Sequence, residues 1–600
     1  MQQDRPSRPT RRDARKERRV SSKKVAPIVE VSEPEIAQAD APGEAPAPLP
    51  EPRTPLPARR TGRRARSSLR ASLAVVGGRT AGALSRRLHL GGGTSIAGVV
   101  AQRLYPHIIE HLSTQLQQGS ILVTGTNGKT TTSGFIAAIL RDAGLRVWRN
   151  REGSNLLRGI AGALVIRTQP NGRLRRAGQA ISIFEVDEAV MPQAVRVIPT
   201  RVAVFTNLFR DQLDRYGEVD SVLERWRQTI AALPPETTLV LNADDPTIAN
   251  LGRAFAGQVM YFGIEDTALD LERQEGASER HQVMDTRVCP NCGEEYVYTL
   301  RFYSHIGHYH CPNCGQGRPR VDVAAGKIEA LAFDRLRIQV ELPERQEEVI
   351  VPLPGLYNVY NALAAVATAR ALEIAWEPTA SGIGQFKPAF GRGERVQTEG
   401  RTIRMLLAKN PTGFNEVLRT LFTDGSKRHM LFVLNDNIAD GRDISWIWDV
   451  DFEQALQGFA SLTIAGTRAR DLALRLKYAG LEVRDMTIVP SLPLRAERQE
   501  QRGTPARRRA LLATRRRARV AAVPAEDSLQ MEEASAARTA LPAGAPERVY
   551  GIARALDQAI SQTPEGETLF VVPTYTGLLE IHRELERRGL TPHYWEETGP

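Results

Sequence analysis

Gly125, Thr126, Asn127 and Gly128 form a short polar loop between the apolar run Ile121–Val123 and the helix-like stretch Gly134–Leu140, and Lys129, Thr130 and Thr131 follow directly. Glycines let backbone N–H groups close around a phosphate, and a helix N-terminus favours negative charge there. Lys129 would neutralise phosphate charge and is catalytic in that sense; the Thr130 hydroxyl suits Mg²⁺. The spacing departs from GxxxxGK[ST], because Val123 stands where the first glycine would be. The strand–loop–helix context still reads as an ATP site.

Further along, Glu185-Val-Asp-Glu188 ends another apolar run. Carboxylates at a strand's carboxyl end beside a phosphate site are natural Mg²⁺ ligands, and Glu185 is the first of them. A solvated acidic turn is the competing reading at this stage. Asn207 and Asp245 also follow apolar runs directly, and Asp245 is expected to approach the nucleotide.

Cys289 and Cys292 form one CxxC pair and Cys311 and Cys314 a second, eighteen residues on. Four thiolates so spaced can close a tetrahedral shell around Zn²⁺. A closed shell has no open position, so the role expected is structural. His305, His308 and His310 between the pairs are read as ordinary ribbon residues. With all four cysteines used, no thiol remains as a nucleophile.

The elements that must position these groups are apolar runs ending in polar residues: Ile181–Phe184, Val202–Phe205, Thr238–Leu241 and Val259–Phe262, with helical patterns between several of them. That alternation predicts an α/β fold with a mostly parallel sheet and helices on both faces. Ligands in such sheets sit at the carboxyl ends of the strands. A second α/β unit is expected beyond about residue 396, with strands at Ile403–Leu407, His429–Leu434, Ser461–Ala465 and Thr568–Val572. The expected organisation is a basic tail over 1–70, a central ATP-binding domain over 71–395 with the ribbon at about 284–320, and a smaller C-terminal domain over 396–600. A low-complexity insertion occupies about 493–545.

The net charge of +11 belongs to two of these segments. Residues 1–70 hold 17 Lys and Arg against 9 Asp and Glu, and residues 495–519 hold 10 Arg against 2 Glu. The remainder is slightly acidic, so a nucleic-acid partner is not expected. Low-complexity segments of this kind bury too little apolar surface to offset chain entropy. They are read as solvated tails, with RNA or an anionic membrane leaflet as alternatives. The chain has no run of transmembrane length and its N-terminus lacks an apolar signal core, which predicts a cytoplasmic location, or a peripheral one at the inner face of the membrane.

The phosphate loop, the Glu185–Glu188 cluster, the run Thr206–Gly217 and Asn242-Ala-Asp-Asp245-Pro246 occur in the order seen in the Mur ligase superfamily, which the chain resembles. Those enzymes activate a carboxylate with ATP as an acyl phosphate that an amine attacks. Asn358, in the run Gly355–Ala365, resembles the family's helix near the adenine, and Arg392, in Gly391–Glu394, its hinge. Gln212 stands where many members carry His, no lysine occurs between Asp211 and Ala243, and the ribbon is absent from ordinary members. These departures, together with Leu434–Glu453, Lys409–Gly413 and Pro573–Thr576, resemble the MurT family, ligase subunits of lipid II isoglutaminyl synthase. The resemblance implies a Mur ligase-type ATPase domain and amidation of the D-glutamate α-carboxylate in lipid II, with ammonia from a GatD-like class I glutamine amidotransferase in a heterodimer. It also implies that an Asp of this chain completes the partner's Cys–His pair, with Asp449 preferred and Asp443 the fallback. Asn207 and Asp211 would position a second metal or the acceptor. The alternative is a stand-alone Mur-type amino-acid ligase such as folylpolyglutamate synthase.

Overall fold

Ile121 and Val123 pack on one side of their strand and Leu122 on the other. The same alternation sets Ile181 and Ile183 against Phe184, and Val202 and Val204 against Phe205. Strands buried on both faces belong in a helix-covered parallel sheet. The computed structural model describes residues 69–87, 94–150, 154–210, 219–271, 286–387, 391–491 and 546–591.

The first sheet holds β1 (Ser120–Thr124), β2 (Arg146–Arg149), β3 (Ala180–Glu185), β4 (Thr200–Phe205), β5 (Thr238–Asn242), β6 (Gln258–Ile264), β9 (Val323–Ala332), β10 (Arg335–Leu342) and β11 (Arg345–Val351). Its order is β11-β10-β9-β6-β5-β4-β1-β3-β2. The pairs from β2 across to β9 are parallel, and β9, β10 and β11 form an antiparallel meander. β1 lies between β3 and β4, so chain order reverses there and the loop after it opens into a crevice. Between β6 and β9 the chain leaves to make a separate hairpin, β7 (Val297–Tyr303) and β8 (Ile306–His310).

The second sheet runs β12 (Arg392–Thr398), β13 (Arg401–Leu406), β17 (Thr568–Pro573), β14 (Arg428–Val433), β15 (Phe459–Gly466), β16 (Thr487–Pro490). All its pairs are parallel except β12–β13. β12 already belongs to it, so this unit starts at Arg392, a few residues before the expected boundary. The low-complexity insertion and residues 1–68 of the basic tail lie outside the described residues, while its last two, Leu69 and Arg70, already begin a helix. The chain departs for the insertion after β16, an edge strand, and returns through the helix Pro546–Ser561 to place β17 in mid-sheet.

The region before the phosphate loop forms two helices, α1 (Leu69–Arg87) and α2 (Thr94–Leu104). They pack with the helix Leu157–Ile166 through small residues. A Cβ built on Gly98 of α2 would lie 1.8 Å from the Arg158 carbonyl oxygen and 2.8 Å from the Gly162 nitrogen. Backbone meets backbone there, and neither side can yield by rotating a side chain. Gly98→Ala should therefore destabilise the chain by about 1–3 kcal/mol, read as a lowered midpoint in thermal unfolding followed by circular dichroism.

Candidate functional site

The carboxyl ends of β1, β3 and β4 bring the predicted residues to one edge. Gly125 and Gly128 take φ of +132° and +86°, a region closed to most side chains. Space forbids a side chain as well: a Cβ on Gly125 would lie 2.2 Å from Thr206 Oγ1, and one on Gly128 2.0 Å from Asn361 Oδ1. The Asn127 N–H donates to Asn207 Oδ1 at 2.8 Å, and Asn207 Nδ2 returns a bond to the Asn127 carbonyl at 3.1 Å. Thr126 Oγ1 accepts from the Phe209 N–H, and Thr131 is buried in the first turn of the helix Lys129–Asp142.

Lys129 and Thr130 stand at the first turn of that helix, where unpaired N–H groups gather. Lys129 Nζ lies 3.2 Å from both oxygens of Glu188 and also donates to the Gly125 carbonyl. Thr130 Oγ1 donates to Glu185 Oε2 at 2.8 Å, and Ser133 Oγ to Glu185 Oε1 at 2.8 Å. Arg149, at the end of β2, contacts the same Oε1 at 3.1 Å. Glu185, Asp187 and Glu188 are all buried, so the solvated-turn reading does not hold. Glu185 meets Arg149 and Glu188 meets Lys129, while Asp187 accepts from the Ala189 N–H at 3.2 Å. A carboxylate beside a hydroxyl, as Glu185 is beside Thr130, is a hard-oxygen pair suited to a divalent ion. Arg149 and Ser133 were missed from sequence. Arg149 sits on a four-residue edge strand with no periodic signal, whereas Ser133, one turn after Thr130, was legible in principle.

Asn358 and Asn361 lie on the helix Leu356–Ala371, which reaches the loop from the far side. Asn361 accepts from Thr132 Oγ1 at 3.2 Å and donates to Asn358 Oδ1 at 3.0 Å, while Asn358 donates to the Pro354 carbonyl. Asp245 corrects an expectation. It is fully buried as the N-cap of the helix Pro246–Leu251, accepting from the Thr247, Ile248 and Leu208 N–H groups. A carboxylate with both oxygens so engaged holds the backbone together rather than a nucleotide. Arg392 opens β12, but its side chain, like Asp211 and Gln212, lies outside what the structure describes.

The second sheet presents its carboxyl edge to the same loop. Asn410 Nδ2 donates to Asn127 Oδ1 at 3.1 Å, and Asn127 Nδ2 lies 3.4 Å from Asn410 Oδ1, while Asn410 also caps the helix Pro411–Phe422. Behind it, Asp440 accepts from the Thr576 N–H at 2.7 Å, from the Thr576 hydroxyl and from the Asn437 N–H. Burial nevertheless pushes its carboxyl up to about 6, because desolvation outweighs the donors. Asp443 is exposed, and the Ser445 N–H at 2.8 Å holds its carboxyl below the usual range. Asp449 is half-buried and lines a cleft with Arg210, Tyr303, Asn415 and Arg419. Its turn is held by Arg475, which donates to the Val450 carbonyl at 2.6 Å, pairs with Glu453 at 2.8 Å and stacks over Trp448 and Phe452.

The four cysteines cluster at the base of the β7–β8 hairpin. Their sulfurs lie within 4.8 Å of one another, with Cys289–Cys314 at 3.6 Å and Cys292–Cys311 at 3.4 Å. Tetrahedral metal–sulfur bonds of about 2.3 Å put sulfurs about 3.8 Å apart, so the cluster fits a metal ion. Gly293 and Gly315 close both knuckles at positive φ, and hydrogen bonds led by Asn291 pull the Cys314 thiol down to about 6. His305 belongs to the ribbon and stands apart from the cysteine cluster. At the hairpin tip it is fully buried, its Nε2 3.6 Å from Asp245 and its ring against Phe209. His308 Nε2 lies 2.7 Å from the Ile264 carbonyl.

Residues 123–314 match the family model of the Mur ligase middle domain, and residues 407–514 that of the MurT ligase C-terminal domain. The chain is 33% identical over 392 residues, 65% of its length and 84% of the relative's, to the lipid II isoglutaminyl synthase (glutamine-hydrolyzing) subunit MurT of Staphylococcus aureus (strain COL). It is 31% identical to the subunit of that name from Streptococcus pneumoniae (strain ATCC BAA-255 / R6), over 71% of this chain and 90% of the other. In fold it resembles a pseudomurein peptide ligase type C from Methanothermus fervidus, with a TM-score of 0.52 and 22% identity over 79% of each chain. It likewise resembles MurF from Acinetobacter baumannii, at 0.52 and 17% over 82% of this chain and 80% of that one.

Cys292→Ser should lower metal content from one divalent ion per purified chain to near none, since three thiolates bind far more weakly than four. Elemental analysis checks this, and a metal content that stays at one equivalent would count against the cluster as the site.

Proposed function

The chain belongs to the MurT family of lipid II isoglutaminyl synthase subunits, and from that premise we propose how its residues carry the reaction. It is a ligase of peptidoglycan synthesis that amidates lipid II. The acceptor is the free α-carboxylate of D-glutamate in the stem peptide. The γ-phosphoryl of ATP passes to that carboxylate, giving an acyl phosphate and ADP. Ammonia then attacks the acyl carbon, phosphate leaves, and D-isoglutamine remains. A stand-alone amino-acid ligase of the folylpolyglutamate synthase type is not favoured.

The observation that carries this reading is the Thr130–Glu185 contact of 2.8 Å beside Lys129, at the start of a helix that follows two positive-φ glycines. A phosphoryl group and a carboxylate repel each other, so cations and backbone dipoles must offset that repulsion in the transition state. The loop amides from Gly125 to Thr131 hold the phosphates. Lys129 exchanges Glu188 for the β- and γ-phosphates when nucleotide enters. Thr130 and Glu185 are the oxygens that would hold Mg²⁺, which when bound supplies positive charge to the phosphates. Arg149 and Ser133 fix the Glu185 carboxylate, Asn207 fixes the loop, and Asn358 lies on the side from which an adenine would approach. Zn²⁺ suits the four thiolates, with a structural role.

Nitrogen comes from a glutaminase partner of the GatD type, bearing a Cys and a His. A Cys–His pair needs a third group to fix the imidazole. Of the two candidates, Asp449 preferred from sequence and Asp443 the fallback, our reading takes Asp443 because it is the more exposed. Asp443 lies on an exposed loop where a second chain can reach it, whereas Asp449 is half-buried and lines the cleft with Arg210 and Arg419, cations that would suit a carboxylate acceptor. The reading also includes work at the inner face of the membrane, where the lipid-linked substrate is held.

Lys129→Ala should lower ATP-dependent amidation by the complex on the order of a hundredfold or more and leave co-elution with the glutaminase intact. Near-normal phosphate release would reject the site. Asp443→Asn should cripple turnover fed by glutamine by about a hundredfold, yet spare turnover fed by ammonium salts at high pH. Asp449→Asn should reduce both. The opposite pattern, by mass analysis of the lipid product, would return the triad role to Asp449.

A further inference from the structure

α1 is built inside out. The face packed against the protein carries its small residues, Ala71, Ala74, Val75, Gly78, Gly82 and Ser85. The face turned to solvent carries its large aliphatic ones: Leu69 is 81% exposed, Leu73 62% and Leu84 58%, with Val76 between them. These residues are spaced three, four and eight apart, so they share one stripe. Leu104 of α2, 54% exposed and close against Gly77, widens it. Four such residues on one short helix exceed the scattered leucines of an ordinary surface. The stripe is firmly mounted, since α1 packs on α2 and Arg79 donates to the Thr168 carbonyl at 3.0 Å.

Charge identifies what the stripe meets. From Pro52 to Ile109 the sequence holds 11 Arg and no Asp or Glu. Arg70, Arg86 and Arg87, all exposed, stand at the two ends of the stripe. A second copy would bring arginines against arginines in a self-complementary contact, which is repulsive. Nucleic acid would answer the arginines but not the leucines, and α1 has no aromatic residue on which a base could stack. An anionic bilayer answers both, because aliphatic side chains enter the acyl boundary while arginines stay among the phosphates. No helix among the described residues is long and apolar enough to cross a membrane.

We propose that the solvent face of α1, with Leu104, is an interfacial docking surface that seats this chain on an anionic lipid leaflet. The inference rests on the lipid-linked acceptor of the proposed reaction and adds the surface that brings the ligase to it.

The test is flotation of the full-length chain, in complex with its glutaminase, with vesicles of phosphatidylglycerol and phosphatidylethanolamine lacking any peptidoglycan precursor. The wild type should float with these and not with phosphatidylcholine alone. Leu69→Glu/Leu73→Glu, whose side chains support no core, should lower the partition by about tenfold or more. Arg70→Gln/Arg86→Gln/Arg87→Gln should lower it by a similar factor and flatten its salt dependence. Amidation of detergent-solubilised lipid II should stay at wild-type rates in both variants, while amidation on vesicles falls. Equal flotation of wild type and leucine variant overturns the proposal. So does a leucine variant that keeps its vesicle binding but loses the glutaminase or changes oligomeric state in light scattering, or arginine-dependent RNA binding without flotation. Failure of amidation in detergent by the wild type would count against the proposed reaction and leave the flotation result standing.

Discussion

The hydrogen bond from Thr130 to Glu185 ties the first turn of the phosphate-loop helix to the end of β3, and much of the site hangs on it. A carboxylate buried at a strand end is costly unless its oxygens are met. Glu185 meets Thr130, Ser133 and Arg149, and its own N–H and carbonyl are held by Asn150. Lys129 is similarly held by Glu188. The site is thus a set of charges neutralised by one another, which in the proposed reaction would exchange partners as phosphates and a divalent ion arrive. Such preorganisation spares reorganisation at the moment of phosphoryl transfer.

Those contacts need strand ends that coincide, which the parallel pairing of β3, β1, β4 and β5 supplies. The second sheet repeats the device, with Asn410 after β13, Asn435 after β14 and Thr574 after β17. The Asn127–Asn410 amide pair is where the two edges touch. Two amides bonded to each other across a crevice are a modest link, worth about 1 kcal/mol each way. A modest link is what a site needs if it must open to admit a lipid-linked peptide.

Much of this was legible in the residues because burial on both faces writes a largely apolar run, and β3, β4, β5, β6, β14, β15 and β17 all carry one, whereas β13 is interrupted by Arg404. The meander β9–β11 was not, since Arg, Glu and Gln alternate with Ile and Val there and one face is wet. α1 was hidden for the converse reason: its large apolar residues face outward, so its pattern does not report its packing. Asp245 was misread because an acidic residue after a strand serves equally well as a metal ligand or as a helix cap, and the Pro246 that follows it favours the cap. The cysteine cluster was legible because four thiols at that spacing have few other uses.

The hairpin shows how a remote cysteine cluster can still matter to the chemistry. Its knuckles lie away from the phosphate loop, but its tip does not. His305 packs on Phe209, two residues beyond Asn207, and beside the Asp245 cap, while Gly307 donates to the Asp244 carbonyl. The Phe302 carbonyl accepts from Arg419 on the helix that Asn410 caps. One β-ribbon therefore touches the ends of β4 and β5 in the first sheet and a helix of the second. An isolated two-stranded hairpin is marginally stable in water, so a metal ion at its base would give the tip the stiffness to hold both. The ribbon is accordingly read as a strut between the two halves of the site, its distance from the phosphates a consequence of that role.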